Sequence, residues 1–308
     1  MIRVFRDEDA HAAVEVLRAS AKDWLHSPAS LLHRLASHPP RARQRAWVAE
    51  ADGRVVGFAR ARLRWEVSER SLGWLWIGVR PEHRGQSLGG ALYDLAATHL
   101  LAAGAERLET YTAEPAGRTF LEERGFREQG GEPILRLDPA DADVSGLPAL
   151  ERAKAAEGFR LVPLAEVLDR PRELHALYAV ASEDVPEEST VDDIRYEEWV
   201  GECLEDPDLS REGSAVVLHG ERPVSLAFVV TDGEGRAAND LTGTLPQYRR
   251  RGLARLVKLA TIRWAAASGV DWMLTSNAEA NAAMRALNES LGYRPAGTQA
   301  FYVRDALS

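Results

Sequence analysis

Two kinds of periodicity interleave along the chain. Short runs that alternate polar and apolar residues, or are wholly apolar, read as strands: Arg3 to Phe5, Ala46 to Ala51, Arg54 to Trp65, the apolar run Gly73 to Val79, and Arg107 to Thr112. The turn signal Asp52-Gly53 separates the second and third. Between them, Ala10 to Ala19, Gly89 to Ala103 and a segment from Pro115 to Gly125 carry helical spacing, and a last strand reaches about Leu137. The second half predicts strand Arg160 to Pro163, helices Arg172 to Val180 and Asp192 to Leu204, and strands Ser214 to His219, Pro223 to Thr231 and Ala237 to Thr244. Helix Leu253 to Ala267, strand Trp272 to Ser276, helix Ala280 to Leu291 and strand Arg294 to Val303 complete it. Strands alternating with helices place the chain in the α/β class with a mixed sheet.

The pattern occurs twice. Val79-Arg80-Pro81-Glu82-His83-Arg84-Gly85-Gln86-Ser87-Leu88-Gly89 is echoed by Thr244-Leu245-Pro246-Gln247-Tyr248-Arg249-Arg250-Arg251-Gly252-Leu253-Ala254 at an offset of 165. Gly125-Phe126 pairs with Gly292-Tyr293, and Gly53 with Gly220, at 167. Three markers in one order at nearly one offset define a tandem repeat. The Asp/Pro/Gly-rich stretch Asp138 to Pro148 breaks both periodicities, so we expect domains over 1–140 and 158–308 with a linker over 141–157.

Chemistry concentrates where a strand turns into a helix. Backbone N–H groups at a helix start are unpaired, the helix dipole adds positive charge there, and small residues allow an anion to come close. The turn Arg249 to Ala254 therefore suits a pyrophosphate, with Arg249, Arg250 and Arg251 able to add charge-assisted contacts. The spacing fits neither the P-loop nor the Rossmann fingerprint.

These residues resemble the GCN5-related N-acetyltransferases, whose signature is Arg/Gln-x-x-Gly-x-Gly/Ala between a strand and a helix. The second half matches as Arg249-x-x-Gly252-x-Ala254; the first reads Arg84-x-x-Ser87-x-Gly89 with serine for glycine, or Gln86-x-x-Gly89-x-Ala91 if shifted by two. The resemblance spans nearly the whole chain as two tandem copies. It implies that acetyl-coenzyme A is bound through Leu241, Thr242, Thr244, Arg249 to Ala254 (Leu253 included), Asn281 and Asn288. In the first half the corresponding residues are Val79, Arg84, Gly85, Gln86, Ser87, Leu88 and Gly89. It also implies direct attack of an amine on the thioester. An alkylamine of pKa about 10 is protonated at neutral pH, so a group must take its proton, and strand N–H groups must stabilise the oxyanion.

The same resemblance implies an asparagine opening the fourth helix, matched by Asn281, and a tyrosine acid one turn later, where this chain has Asn288 and, in the first half, Leu121. An amide cannot act as an acid, so the usual acid is missing from both halves. Trp74 to Ile77 is apolar where the second half offers Asn239, Asp240, Thr242 and Thr244, so we expect the second half to catalyse and the first to be a degenerate or structural copy. The alternative is that both bind cofactor, since Ser87 is small. Period-two alternation puts Asp240, Thr242 and Thr244 on one face, with Asp240 as candidate base. Tyr293, Tyr248 and Tyr302 are candidate acids. Asp240 also reads as a solvated or arginine-paired carboxylate, Asn281 as a simple N-cap, and Cys203 as core packing beside Tyr196, Trp199 and Val200.

Charge sharpens the acceptor. The 308 residues carry 38 Lys+Arg against 47 Asp+Glu, which argues against a nucleic-acid binder. Over 1–140 the count is 20 against 19; over the remainder it is 18 against 28. Segment 183–212 alone holds 13 acids and two arginines. In the resembling family this region walls the acceptor site, so Glu183, Asp184, Glu187 and Glu188 are candidate contacts for a cationic amine, while Glu198, Glu202 and Glu205 fit a solvated helix face. No His/Cys/Asp/Glu cluster has metal-ligand spacing. The single cysteine and the lack of a signal sequence or membrane-length apolar run suggest a cytoplasmic protein. The expected activity is N-acetylation of a small cationic amine or exposed peptide amine; a non-catalytic acyl-coenzyme A sensor or scaffold is the competing reading, and the oligomeric state is not expressed in the sequence.

Overall fold

The computed structural model describes residues 1–21, 25–67, 69, 71–183, 194–276 and 281–305. They form two compact units, one built from Met1–Glu132 and the strand segment from Thr298 onward, the other from Pro133 to Gly297. Among the described residues no helix is long and apolar enough to cross a membrane.

The first unit contains β1 (Ile2–Val4), α1 (Ala10–Ser20), α2 (Pro28–Ala36), β2 (Arg45–Ala51), β3 (Arg54–Leu63), β4 (Leu72–Val79), α3 (Leu88–Ala102), β5 (Arg107–Thr112) and α4 (Pro115–Glu122), and β6 (Arg127–Leu137) begins there. Strands β1 to β4 are antiparallel neighbours, and β4 pairs parallel with β5 only over Leu72 to Trp74. Alternation along β4 sends Trp74 and Trp76 towards Val14, Leu17 and Phe58 on one face, and Leu75 towards Leu92, Tyr93 and Leu100 on the other. A strand covered on both faces needs apolar residues throughout, which accounts for the run Trp74 to Ile77.

The second unit repeats the plan with α5 (Leu147–Ala156), β7 (Phe159–Pro163), α6 (Pro171–Glu183), α7 (Tyr196–Trp199) continuing into a π-helical turn at Val200–Leu204, β8 (Ala215–His219), β9 (Arg222–Thr231), β10 (Arg236–Thr244), α8 (Leu253–Ala267), β11 (Trp272–Ser276), α9 (Ala282–Ser290) and the start of β12 (Arg294–Asp305). Again the central parallel pair, β10 with β11, is short, covering Arg236 to Ala238.

Two expectations change. The final strands are exchanged: Leu137 to Ile134 of β6 pair with Met273 to Ser276, and Ala300 to Asp305 of β12 pair with Thr112 to Arg107. The division into 1–140 and 158–308 gives each final strand to its own half. Alternation specifies which face of a strand is buried, not which of two similar sheet edges receives it. The expected linker 141–157 also contains a ten-residue helix, α5, packed against β7 and α8. Pro148 lies in its first turn, where a missing N–H costs nothing, so this proline starts a helix where the sequence pattern suggests a break.

Lys258 on α8 is 1 % exposed, beside the Tyr293 ring at 5.3 Å, and burial lowers its pKa to about 7. No ion pair involves it among the described residues. The unfolded chain keeps the ordinary lysine value, so it binds the extra proton between about pH 7 and 10.5, and stability must rise with pH across that window. Below pH 7 the full penalty acts, at roughly 1.4 kcal/mol for every tenfold loss of proton affinity on folding. Lys258→Met is therefore expected to raise the melting temperature of the second unit, more at pH 6 than at pH 10, in calorimetric melts at both pH values; an equal gain at both would contradict this account.

Candidate functional site

Each unit turns from its central strand into a helix in the same way, down to single hydrogen bonds. In the first unit a one-turn 3-10 segment, Pro81–His83, is closed by Arg84 N–H donating to the Pro81 carbonyl at 3.2 Å; in the second, Pro246–Tyr248 is closed by Arg249 N–H to Pro246 at 3.2 Å. Arg84 Nε then donates back to the Val79 carbonyl at 3.2 Å, and Arg249 Nε to Thr244 at 3.1 Å. These two arginines thus brace the turn through their side chains. Two alternate positions in each turn hold positive φ: Gly85 at 76° and Ser87 at 62°, against Arg250 at 58° and Gly252 at 78°. Each copy places glycine at one of the two left-handed positions and tolerates a side chain at the other. Ser87 in the signature's glycine position therefore leaves the turn's shape intact.

Beyond Trp74, β4 and β5 part, and the first unit opens a groove of about 510 Å³ lined among others by Ile77, Val79, Gly85, Ser87, Thr112 and Glu114. Arg84, Leu88 and Gly89 line it too; Gln86 lies in the same turn. A Cβ added at Gly85 would meet nothing within 4 Å, so the backbone there is open to an incoming group. An elongated ligand with an anionic end fits this arrangement: the free N–H groups of α3 meet the anion, and the parted strands accept the rest.

In the second unit β10 differs from β4 by one residue. Pairing with β9 jumps from Asn239–Val229 to Thr242–Ala227, a bulge at Asp240 and Leu241, whereas β4 pairs with β3 without interruption. The offset between equivalent positions is accordingly 164 before the bulge (Arg236 against Leu72) and 165 after it (Thr244 against Val79). The extra residue frees backbone groups from the ladder and reverses the alternation. Asn239, Thr242 and Thr244 consequently share one face, where Thr244 Oγ1 lies 2.8 Å from Ser225 Oγ and Asn239 Oδ1 accepts from Tyr293 at 3.5 Å. Asp240 does not share that face, contrary to the period-two expectation. It is exposed on the side of α6, where a Cβ at Gly243 would collide with Ala181. The Thr242 hydroxyl is enclosed and has no hydrogen-bond partner among the described residues.

The candidate acids fare differently. Tyr293 is fully buried and its pKa is raised by burial, so it holds its proton in the interior. Tyr302 is carried by the strand exchange into the first unit, where it donates to Glu128 at 3.0 Å and Glu122 at 3.2 Å, and burial followed by these carboxylates raises its pKa to about 12. Tyr248 sits at the turn entrance, 3.3 Å from His219 Nδ1. Asn281 caps α9, accepting from Met284 N–H at 3.1 Å, which is the simpler of its two readings. Asn288 is fully buried. Arg251 points away from the turn's interior to Glu157 at 3.2 Å and over the Phe159 ring at 4.8 Å. Arg250 and Leu253 flank Gly252, and Leu253 is buried; Ala254 opens α8 behind it. Asp184, Glu187 and Glu188 lie outside the described residues, and Glu183 is the last residue of α6.

Sequence reasoning misses Tyr178. It is half-buried on α6, stacked on Phe228 at 6.2 Å and against Trp199 at 5.6 Å, with its hydroxyl hydrogen-bonded to Cys203. Its pKa is raised well above the usual tyrosine value by Cys203, then by burial, then by Asp240. Cys203 is half-buried in the π-helical turn, not packed in the core. The signal that could have led here is the pairing of Tyr178 with a strand that carries an unexpected extra residue.

Residues 11–126 match the acetyltransferase (GNAT) family and residues 149–280 the acetyltransferase (GNAT) domain. The chain is a tandem member of the GNAT acetyltransferase family, and an N-acetyltransferase by class. A curated relative, the mycothiol acetyltransferase of Nocardiopsis dassonvillei, is 29 % identical over 300 residues, covering 88 % of this chain and 85 % of its own. Among solved structures, a tandem GNAT protein from the clavulanic acid biosynthesis pathway aligns with a TM-score of 0.73 at 20 % identity, covering 99 % of this chain and 98 % of that one. A GCN5-related N-acetyltransferase from Sphaerobacter thermophilus aligns at 0.64 and 16 %, covering 99 % and 95 %. The family generally uses acetyl-coenzyme A.

Because α6 touches β10 at Gly243, a larger residue there must push the helix off the bulge. Gly243→Val is expected to lower stability by about 1–3 kcal/mol, the usual range for overpacking, and to reduce acetyl transfer; denaturant unfolding and a steady-state assay together check it.

Proposed function

We propose that the protein transfers an acetyl group from acetyl-coenzyme A to a primary amine in its second unit, while the groove of the first unit holds a second coenzyme A without turnover. The bulge at Asp240 and Leu241 carries this reading. It presents N–H groups released from the ladder, able to stabilise negative charge on an oxygen beside the strand, and sets a carboxylate next to them. The unbroken β4 has neither. Bound acetyl-coenzyme A supplies an activated acyl carbonyl; the chain supplies the pyrophosphate turn, the charge-stabilising amides and Asp240, which takes the proton from the acceptor amine. The acceptor we infer is a small cationic amine or exposed peptide amine; the name of the 29 % identical relative adds a thiol-containing amine to the panel worth testing.

The matching geometry of the two turns supports binding in both units. Calorimetric titration with acetyl-coenzyme A should give two equivalents per chain, falling to one in Ser87→Glu and in Gly252→Glu, each of which sets a carboxylate where the phosphates belong. Only the second variant should lose activity; loss in Ser87→Glu alone would move catalysis to the first unit. Asp240→Asn is expected to lower kcat/KM by on the order of 100-fold, with acetyl-coenzyme A affinity unchanged. Two bound equivalents with no thiol release over polyamines, aminoglycosides and peptides would favour a sensor or scaffold instead.

A further inference from the structure

Three irregularities converge on one spot of the second unit. The bulge turns Asp240 towards α6; α6 is held hard against β10 at Gly243; and the π-helical turn Val200–Leu204 brings Glu202 and Cys203 beside Tyr178, one helical turn before Ala181. A π-turn adds a residue to a helix as a bulge adds one to a strand, and both features re-aim side chains at functional sites. The floor beneath is rigid and aromatic: Phe228 and Trp199 are buried, and His175 lies 5.2 Å from the Trp199 ring. The surface above this floor combines two carboxylates, a phenol and a thiol within one small area.

We infer that Tyr178, Glu202, Cys203 and Asp240 form the acceptor pocket, and that it selects a monocationic primary amine carrying an apolar, preferably aromatic, substituent beside the nitrogen. This rests on the proposed function and names its substrate class. The two carboxylates neutralise a single ammonium. Tyr178 offers a ring face for the cation or its substituent, and the Cys203 side chain gives a small, polarizable contact for an apolar group. Asp240, next to the freed amides, is then the carboxylate that receives the proton, and Glu202 the one that holds the ammonium. A polyamine would leave its further charges beside the aromatic floor, unpaired.

The test uses phenethylamine and spermidine as probes on the full chain. Glu202→Gln is expected to raise KM for phenethylamine about tenfold and weaken its binding equally in calorimetry without acetyl-coenzyme A. The KM for acetyl-coenzyme A should not move. Cys203→Trp, which fills the pocket, should abolish phenethylamine binding while both coenzyme A equivalents still bind, which also reports that the variant is folded. Phenethylamine affinity unmoved in both variants, or spermidine preferred over phenethylamine by kcat/KM, would overturn the inference. If the variants weaken amine binding but acetyl-coenzyme A does not bind the second unit, the pocket stands and the catalytic reading falls.

Discussion

The strand-to-helix turn constrains everything around it. Two residues, two apart, must adopt left-handed backbone conformations so that the next N–H groups converge at the helix start. A non-glycine residue there costs on the order of 1 kcal/mol, and each copy accepts that cost once, at Ser87 or at Arg250. Glycine sits at the other position in each case. The brace from Arg84 or Arg249 back to the last strand carbonyl holds the chain in this shape, so the arginine that a motif reading assigns to phosphate has a structural task already.

The turn makes both units competent to receive an anion; the strand before it makes them different. One additional residue in β10 releases two backbone positions and reverses which side chains face α6. Asp240 reaches the α6 side only because of that insertion, and Thr242 and Thr244 are left facing α8 with Asn239. Without the bulge, alternation would put an aspartate and two threonines together, a different site from the one that exists.

The tandem plan, the two turns and the helices that follow them are legible in the sequence, because Gly, Pro and helical periodicity report local geometry directly. The exchange of β6 and β12 is not, since the two sheet edges that receive them are copies of each other and present similar partners. The bulge is written in the sequence as a change of offset from 164 to 165, but a comparison anchored on the turn sees only the second value. Tyr178 and Cys203 are hidden for a related reason: a helical reading of 192–204 assumes α-helical spacing, and the π-turn at Val200–Leu204 shifts Cys203 off the predicted buried face. The exchange also carries Tyr302 out of the second unit, so a candidate chosen by nearness in sequence belongs to the other one.

The opposite face of the bulged strand points the same way. Where the first unit packs Leu75, Ile77, Val79, Tyr93, Leu121 and Phe126, the second has Asn239, Thr242, Thr244, Lys258, Asn288 and Tyr293. Apart from Tyr93, each residue of the first set is purely apolar and its counterpart is not; in place of Tyr93 stands Lys258, whose amine burial holds near pH 7. Stability alone would not select such a set, because burying polar groups costs free energy that an apolar core does not. Departures from local packing rules gather at functional sites. That they gather here beside the strand that carries the bulge, while the equivalent layer of its copy is packed with aliphatic and aromatic side chains, places the functional burden of the repeat on β10 and leaves the first unit the better-packed one.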